Sequence, residues 1–199
     1  DIIAITNNII SGQSAANRIG TQGILFNVNG TGQGNFNVTG NSVSHTVGNS
    51  ISHNVFGDAV VTSTISNNTV ISNNTLGAAG IAGGTSFTSG FATNTPSLTV
   101  TLSGNNVSQT DGNGILFVAR DLANAVLTAK ILNNTVAAPL GGVRPGIRVD
   151  AGNAAGDNDV ALEISGNTSV GSGGSQGIGL RKQGTDPAIN AFGIEGLSP

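Results

Sequence analysis

The sequence contains no cysteine, tryptophan, tyrosine or methionine. Without cysteine the chain has no disulfide bond, no thiolate metal site and no cysteine nucleophile. Without tryptophan and tyrosine, only seven phenylalanines remain to stack on nucleobases or sugars. These absences count against a redox or thiol enzyme and against a sugar cleft built on aromatic side chains.

Charged side chains are also scarce, at 9% of the sequence, and the net charge is −3. Nucleic-acid binding requires clustered lysine and arginine to neutralise phosphates, whereas the seven basic residues of this chain are scattered. No apolar run approaches the roughly 20 residues that cross a bilayer. We therefore expect no nucleic-acid partner and no membrane span. Short runs of valine, isoleucine and leucine recur throughout, so the chain has apolar surface to bury and is not expected to be disordered.

A short phrase recurs six times in the chain, most clearly as ISNNTV at residues 65–70. It consists of an aliphatic residue, usually a small residue, then Asn or Gly, a fixed Asn, one spacer and usually a β-branched residue. The spacings between successive fixed asparagines are 33, 27, 37, 29 and 33 residues, which is typical of a solenoid or another repeat array. The fixed asparagines are Asn8, Asn41, Asn68, Asn105, Asn134 and Asn167.

Runs of strand-forming residues accompany this phrase in most repeats. A run with alternating apolar and polar residues leads into it, as in LTVTL at residues 98–102. A Gly-Ile pair follows it and introduces another run. The pairs lie at residues 23–24, 80–81, 114–115, 146–147 and 177–178, with Ser50-Ile51 substituting in the second repeat. Three short strands in each repeat of about 32 residues predict an all-β fold, a parallel β-helix of about six coils.

The fixed asparagine predicts a ladder along such a β-helix. We expect it to occupy a tight corner in the left-handed backbone region, which Asn tolerates better than other non-glycine residues. Its side-chain amide would then bond to the equivalent asparagines of the coils above and below. Gly precedes it in three repeats and fits the same corner.

The repeats divide the chain into two predicted parts. Residues 1–183 are the parallel β-helix, and residues 184–199 are a C-terminal cap or linker segment. The longest interval between fixed asparagines contains a Gly-, Ala-, Ser- and Thr-rich excursion at residues 77–96, which is predicted to protrude as a loop. The chain enters a repeat phrase almost at once, so we expect missing chain or another copy to cover its first coil.

The phrase and the Gly-Ile pair together resemble the right-handed, pectate-lyase-like parallel β-helix family over residues 1–183. The cysteine-free, Gly-, Asn- and Thr-rich composition and the closing FGIEGL at residues 192–197 look like the β-helical regions of large bacterial surface or autotransporter-like proteins. The first resemblance implies a right-handed solenoid. The family includes both sugar-active enzymes and non-catalytic stalks or adhesins, so the fold alone does not decide the function.

Acidic residues that could carry out acid/base chemistry are few and occupy different positions in the coils. They are Asp111, Asp121, Asp150, Asp157, Asp159 and Glu163. Asp150 with Arg148, and Arg181 with Lys182 one coil later, could share a face of the β-helix. Solvated turn and surface charges are the better interpretation of all of these, so no catalytic cluster is predicted.

Three weaker patterns in the sequence have simpler explanations. The run Asp157-Asn158-Asp159 could ligate Ca²⁺, but it lacks the remaining spacing of a calcium loop and is better explained as a turn. His45 and His53 have no evident third metal ligand and are expected at the surface. The threonines do not predict an ice-binding face, because they are not expected to form a regular two-residue comb from coil to coil.

These observations predict a non-catalytic structural or adhesive module of a secreted or surface-exposed bacterial protein, located outside the cell or at the cell surface. It would bind no cofactor, would self-associate through its β-helix ends or belong to a larger parent chain, and would stack end to end into filaments. A glycan or another cell-surface molecule is the expected ligand class, if it has one. The alternative is a carbohydrate-active or carbohydrate-binding β-helix that resembles polysaccharide lyases or hydrolases.

Overall fold

The computed structural model describes residues 2–72, 74–75, 77–86, 94–120, 125–152, 158–182 and 192–194. These residues form nineteen β-strands that belong to three parallel sheets. Each turn of the chain contributes one strand to each sheet, and the strands stack in chain order. The described part of the chain is therefore a parallel β-helix of six coils with a seventh strand on its first sheet, as the repeats predict.

The first sheet contains the longest strands and is the only one of the three with seven. In order, they are β1 (Ile2–Thr6), β4 (Gln33–Thr39), β7 (Val60–Ser66), β10 (Ser97–Ser103), β13 (Ala125–Leu132), β16 (Asn158–Ser165) and β19 (Phe192–Ile194). The predicted runs that lead into the repeat phrase all lie within β4, β7, β10, β13 and β16.

The second sheet is narrow, because its strands are only two or three residues long. They are β2 (Ile9–Ser11), β5 (Ser42–Ser44), β8 (Thr69–Ile71), β11 (Asn106–Ser108), β14 (Thr135–Val136) and β17 (Thr168–Ser169). The third sheet consists of β3 (Ile24–Val28), β6 (Ile51–Val55), β9 (Ile81–Ser86), β12 (Ile115–Arg120), β15 (Ile147–Ala151) and β18 (Ile178–Lys182). None of the described residues forms a helix that could span a membrane.

The isoleucine of each Gly-Ile pair begins a strand of the third sheet. These isoleucines pair in register from coil to coil, and Ile51 after Ser50 joins the column as predicted. Four of them, Ile51, Ile81, Ile115 and Ile147, are fully buried. Parallel stacking places equivalent side chains over one another, so one position in the repeat becomes one column of the core.

The core is formed by alternate side chains that point into the β-helix. In β10, Leu98, Val100 and Leu102 are fully buried, while Thr99 points outward. The second sheet adds an inner column of valines at positions 43, 70, 107 and 136. These columns give the rod a continuous apolar interior with no break between coils.

Gly83 in strand β9 makes room for large buried side chains of the two neighbouring coils. A Cβ at Gly83 would lie 2.3 Å from the backbone oxygen of His53 and 3.0 Å from the ring of Phe117. His53, Gly83 and Phe117 are paired neighbours on the third sheet. The missing side chain at Gly83 therefore leaves room between two buried rings in the coils on either side.

Two predictions about the ends and turns need correction or qualification. Residues 81–86 of the predicted 77–96 excursion form strand β9 inside the third sheet, because the Gly-Ile pair continues its column; residues 87–93 lie outside the described residues. In the predicted cap, β19 pairs with Val160–Leu162 and extends the first sheet. The rest of residues 184–199 is not described, and the boundary at residue 183 stays a prediction.

Candidate functional site: an asparagine ladder and an arginine cluster

The six fixed asparagines form a hydrogen-bonded ladder at the corner between the first and second sheets. Oδ1 of Asn105 accepts hydrogen bonds from the backbone N and the Nδ2 of Asn68, both at 3.0 Å. The same two donors of Asn105 contact Oδ1 of Asn134 at 3.0 and 2.9 Å. The pattern repeats at 2.8–3.0 Å in the pairs Asn8–Asn41, Asn41–Asn68 and Asn134–Asn167.

The five ladder side chains after Asn8 also reach back toward the preceding coil. Nδ2 of Asn105 donates to the carbonyl of Ile65 at 2.8 Å. Equivalent bonds join Asn41 to Ile5, Asn68 to Val38, Asn134 to Leu102 and Asn167 to Ile131. One side chain therefore links three consecutive coils and satisfies backbone groups that the turn would otherwise leave buried and unpaired.

The prediction that the ladder asparagine itself adopts the left-handed conformation is wrong. The residue before it does so in every coil: Asn7, Gly40, Asn67, Gly104, Asn133 and Gly166 have φ between 54° and 69°. The preceding residue makes the sharp corner. The ladder asparagine can then direct its backbone N–H along the rod axis toward the next coil.

Asparagine and glycine alternate strictly at this corner, a signal that the sequence contains but that the prediction missed. A Cβ at Gly104 would lie 2.5 Å from Oδ1 of Asn67 in the preceding coil. Gly40 and Gly166 have the same relation to Asn7 and Asn133. Asparagine and glycine both tolerate the left-handed conformation of this corner. Their alternation follows from packing, because the asparagine side chain of one coil occupies the space that a Cβ on the glycine of the next coil would need.

A cluster of three arginines surrounds Asp150 on the outer face of the third sheet. Arg148 donates to Asp150 through Nε at 2.8 Å and Nη2 at 2.9 Å. Arg181, one coil later, donates through Nε at 3.2 Å and Nη2 at 2.8 Å. Nη2 of Arg120, one coil earlier, also contacts Oδ2. The Asp150 side chain is fully buried by these partners, although the arginines are partly exposed.

The cluster keeps Asp150 ionised. Burial alone would raise the pKa of this carboxyl. The hydrogen bonds from Arg148 and Arg181, together with the charges of Arg148 and Arg120, outweigh burial and hold the pKa below its ordinary value. A carboxylate enclosed by three cations is a weak base and does not hold a proton to donate, which disfavours general acid or base chemistry at Asp150.

The sequence suggests that Asp150, Arg148 and Arg181 could share a face, and the structure brings them together. Arg120 joins them as well, although the sequence pattern does not predict it. The prediction that these are solvated surface charges is wrong for Asp150. Lys182 pairs with Ala151, the position after Asp150, so strand alternation places its side chain on the other face from Arg181.

The other predicted acids do not join this cluster. Glu163 pairs with Lys130 at 2.8 Å on the first sheet, and Asp111 accepts a hydrogen bond from the backbone N of Gly77 in a turn. Asn158 and Asp159 begin strand β16 and are not in the predicted turn, because Asn158 pairs with Ala125 in the first sheet. Asp121 and Asp157 lie outside the described residues. Within the described ranges, no three His, Asp or Glu side chains converge to hold a metal ion.

The histidines occupy different environments, and the prediction of two surface histidines is wrong for His53. His53 lies on the inner face of β6 and is fully buried between Phe26 and Phe36, with ring centroids 5.4 and 5.3 Å away. Its Nδ1 lies 3.3 Å from the hydroxyl of Ser63, and its Nε2 has no partner among the described residues. His45 lies in a turn at a φ of 54° and is half-buried.

Burial of His53 makes stability depend on pH. Desolvation lowers the pKa of His53 from 6.5 to about 4. Between these values the unfolded chain binds a proton that the folded chain does not, so stability falls as the pH falls from 6.5 to 4. The loss over this window is about 3 kcal/mol. Urea unfolding at several pH values between 7 and 4 would measure it.

The variant His53→Phe separates this effect from other acid effects. Phenylalanine suits the aromatic neighbours of His53 and does not titrate, so the decline between pH 6.5 and 4 should disappear. Asp150, whose pKa is lowered, contributes stability that is lost only below its ordinary value of 3.8. An unchanged slope in His53→Phe would contradict the assignment of this window to His53.

The threonines of two neighbouring coils align, but the alignment does not extend into a regular comb. Thr62 pairs with Thr99, and Thr64 pairs with Thr101, on the outer face of the first sheet. The comb ends in the next coil, where Thr128 continues one column but Lys130 replaces the other. Asn35 and Asn37 occupy the two columns in the coil before, so the threonines form no regular comb along the β-helix, as predicted.

No protein-family model, curated protein or solved structure that was compared with this chain matches it. The fold is a parallel β-helix with a buried asparagine ladder.

Proposed function

We propose that this chain is a non-catalytic structural or adhesive rod, part of a secreted or surface-exposed bacterial protein, that associates coil on coil with a second copy. The observation that carries the proposal is the asparagine ladder, whose rungs repeat the same hydrogen bonds from coil to coil and would accept a further coil in the same way. The proposal includes the likeness to right-handed, pectate-lyase-like and autotransporter-like β-helices that the sequence suggests. Its localisation at the bacterial surface belongs to the same proposal.

The first coil leaves exposed some groups whose equivalents are buried further along the β-helix. Ile3 is 51% exposed, although its column is fully buried at Val100, three coils further along. Oδ1 of Asn8 has no hydrogen-bond donor in the described part of the chain, whereas the Oδ1 of each later ladder asparagine accepts two hydrogen bonds from the preceding coil. A further coil of the same kind would cover the aliphatic side chain and complete the rung.

The ladder also favours a structural role through its polarity. Each interior rung directs its Oδ1 toward the asparagine of the preceding coil, and its backbone N–H and one Nδ2 hydrogen toward the asparagine of the following coil. An added coil therefore fits in one orientation only, which supports head-to-tail association and disfavours a closed two-fold dimer. Parallel strand pairing along the exposed edge would add backbone hydrogen bonds to the contact.

Electron microscopy of the purified chain over a concentration series tests this proposal. We expect rods that lengthen with concentration in steps of roughly 30 Å, the height of six coils at the spacing of paired strands. Ile3→Lys should prevent elongation, because it places a charge in the contact. Leu140→Lys is the matched control, since Leu140 is 69% exposed in the turn after β14 and away from the first-coil edge. Particles of one chain length at every concentration would contradict the proposal.

The arginine cluster is the feature that bears on a carbohydrate-active or carbohydrate-binding alternative. Its single carboxylate is saturated with hydrogen bonds and kept ionised, which does not provide the paired acid and base of a glycoside hydrolase. The cluster is better suited to binding than to catalysis. Turnover of an acidic polysaccharide that is lost in Asp150→Asn would overturn the non-catalytic proposal.

A further inference from the structure

We propose that Arg148 and Arg181 form a binding site for an oxyanion, the carboxylate or sulfate group of an acidic ligand, on the outer face of the third sheet. This proposal does not depend on coil-on-coil association. It rests on the geometry, the space and the charge balance of the cluster around Asp150.

The hydrogen-bond acceptor sites of Asp150 are all occupied, whereas its arginine partners keep N–H donors that Asp150 does not use. A carboxylate has about four lone-pair sites, and five arginine N–H contacts converge on the two oxygens of Asp150. Arg148 and Arg181 each use Nε and Nη2 on Asp150. Among the described residues, the Nη1 groups of these two arginines have no acceptor. A guanidinium held rigidly by one carboxylate thus still offers donors in a fixed plane.

An open depression lies beside these donors. It has a volume of about 320 Å³, and its lining includes Arg148, Arg181, Gln176, Pro145 and Leu180. Gly179 pairs with Arg148 in the register of the third sheet and places no side chain over it. The two arginines therefore border a space that admits a small group, with apolar Pro145 and Leu180 beside it.

The charge balance leaves the cluster positive. Three guanidiniums surround one carboxylate, and no other acidic side chain forms a salt bridge with them in the described part of the chain. A purely structural ion pair needs one arginine, whereas three like charges around a buried centre repel one another. Nε of Arg120 is buried without a hydrogen-bond partner, so the cluster is not satisfied internally. A bound anion would offset the excess charge.

The chemistry of the donors defines the ligand. The planar fork of arginine matches the two oxygens of a carboxylate or two oxygens of a sulfate, and both bind through paired N–H donors. Sodium acetate and sodium sulfate, each compared with sodium chloride at equal ionic strength, represent these two sources. The arginine Nε–H resonances of ¹⁵N-labelled protein report binding at Arg148 and Arg181 directly.

We expect saturable shifts of these two resonances with acetate or sulfate but not with chloride. Tighter acetate binding would identify a carboxylate ligand, and tighter sulfate binding would identify a sulfated one. Arg181→Gln should weaken binding at least tenfold. Arg181 is 43% exposed, and Arg181→Lys keeps a cation beside Asp150 without the fork, so it should fold and still lose most of the affinity.

Lys130→Gln provides the control, because Lys130 is a cation on the first sheet, paired with Glu163. It should leave acetate and sulfate binding unchanged. Equal shifts with chloride, or full affinity in both Arg181 variants, would overturn the proposed site. Either result would leave the coil-on-coil proposal standing, since that proposal is measured by rod length.

Discussion

Replacing Asn105 by alanine is expected to lower the free energy of unfolding by about 3–5 kcal/mol, because several buried polar groups lose a partner at a cost of about 1–3 kcal/mol each. The backbone N–H of Asn68 loses its acceptor, and the carbonyl of Ile65 loses a side-chain donor. Oδ1 of Asn134 loses the bond donated by Nδ2 of Asn105 and keeps only the bond from the backbone N–H of residue 105. Urea unfolding followed by circular dichroism would measure the change.

Asn8→Ala is the matched control within the same ladder. Asn8 donates to Asn41, but no described donor contacts its own Oδ1, and its side chain is exposed. We expect a loss of about 1 kcal/mol or less, the usual net value of one hydrogen bond near solvent. Equal losses in Asn8→Ala and Asn105→Ala would mean that the ladder contributes through local turn geometry and not through bonds between coils.

Replacing Ile131 by alanine is expected to destabilise the chain by about 2–5 kcal/mol, the range for removing a large aliphatic side chain from a packed core. Ile131 is fully buried and pairs with Leu102 in the coil before and Ile164 in the coil after. Because the strands on both sides are held in register, the column has little freedom to collapse into the space. The midpoint and slope of urea unfolding would report the loss.

Ile9→Ala makes the same chemical change at a site that is 86% exposed. We expect a change within about 0.5 kcal/mol, as for most surface substitutions. Comparable destabilisation by Ile9→Ala and Ile131→Ala would contradict the inward assignment of Ile131. The comparison isolates burial, because both substitutions remove the same atoms from a strand residue.

The features that could be predicted from sequence are those that recur at one position of the repeat. The fixed asparagines and the Gly-Ile pairs identify the coils, the register and the ladder, because parallel stacking converts a recurring residue into a column. The burial of His53 was also visible, since Ile51, His53 and Val55 alternate along one strand. The general tendency of histidine to lie at the surface predicts the opposite and is wrong here, because the alternation of the strand decides the side chain's direction.

The arginine cluster required the register of the third sheet. Asp150 and Arg181 both lie three residues after the isoleucine of a Gly-Ile pair, so counting from that pair places them side by side. Arg120 could not be placed in this way, because its side chain reaches Asp150 from a strand position further along its own coil. Its contribution depends on the path of a long, flexible side chain and not on a repeated position.

The equivalence of the ladder rungs has a consequence for how such a chain changes over evolutionary time. Loss or duplication of a segment from one fixed asparagine to the next leaves every remaining rung with an equivalent neighbour, and it alters the rod by about 4.8 Å. Loss of a single residue within a strand instead moves all following side chains of that strand to the opposite face. Evolution should therefore tolerate the gain or loss of whole coils and changes in turn length better than insertions or deletions within strands. The unequal spacings of 27 to 37 residues between rungs are consistent with changes in turn length.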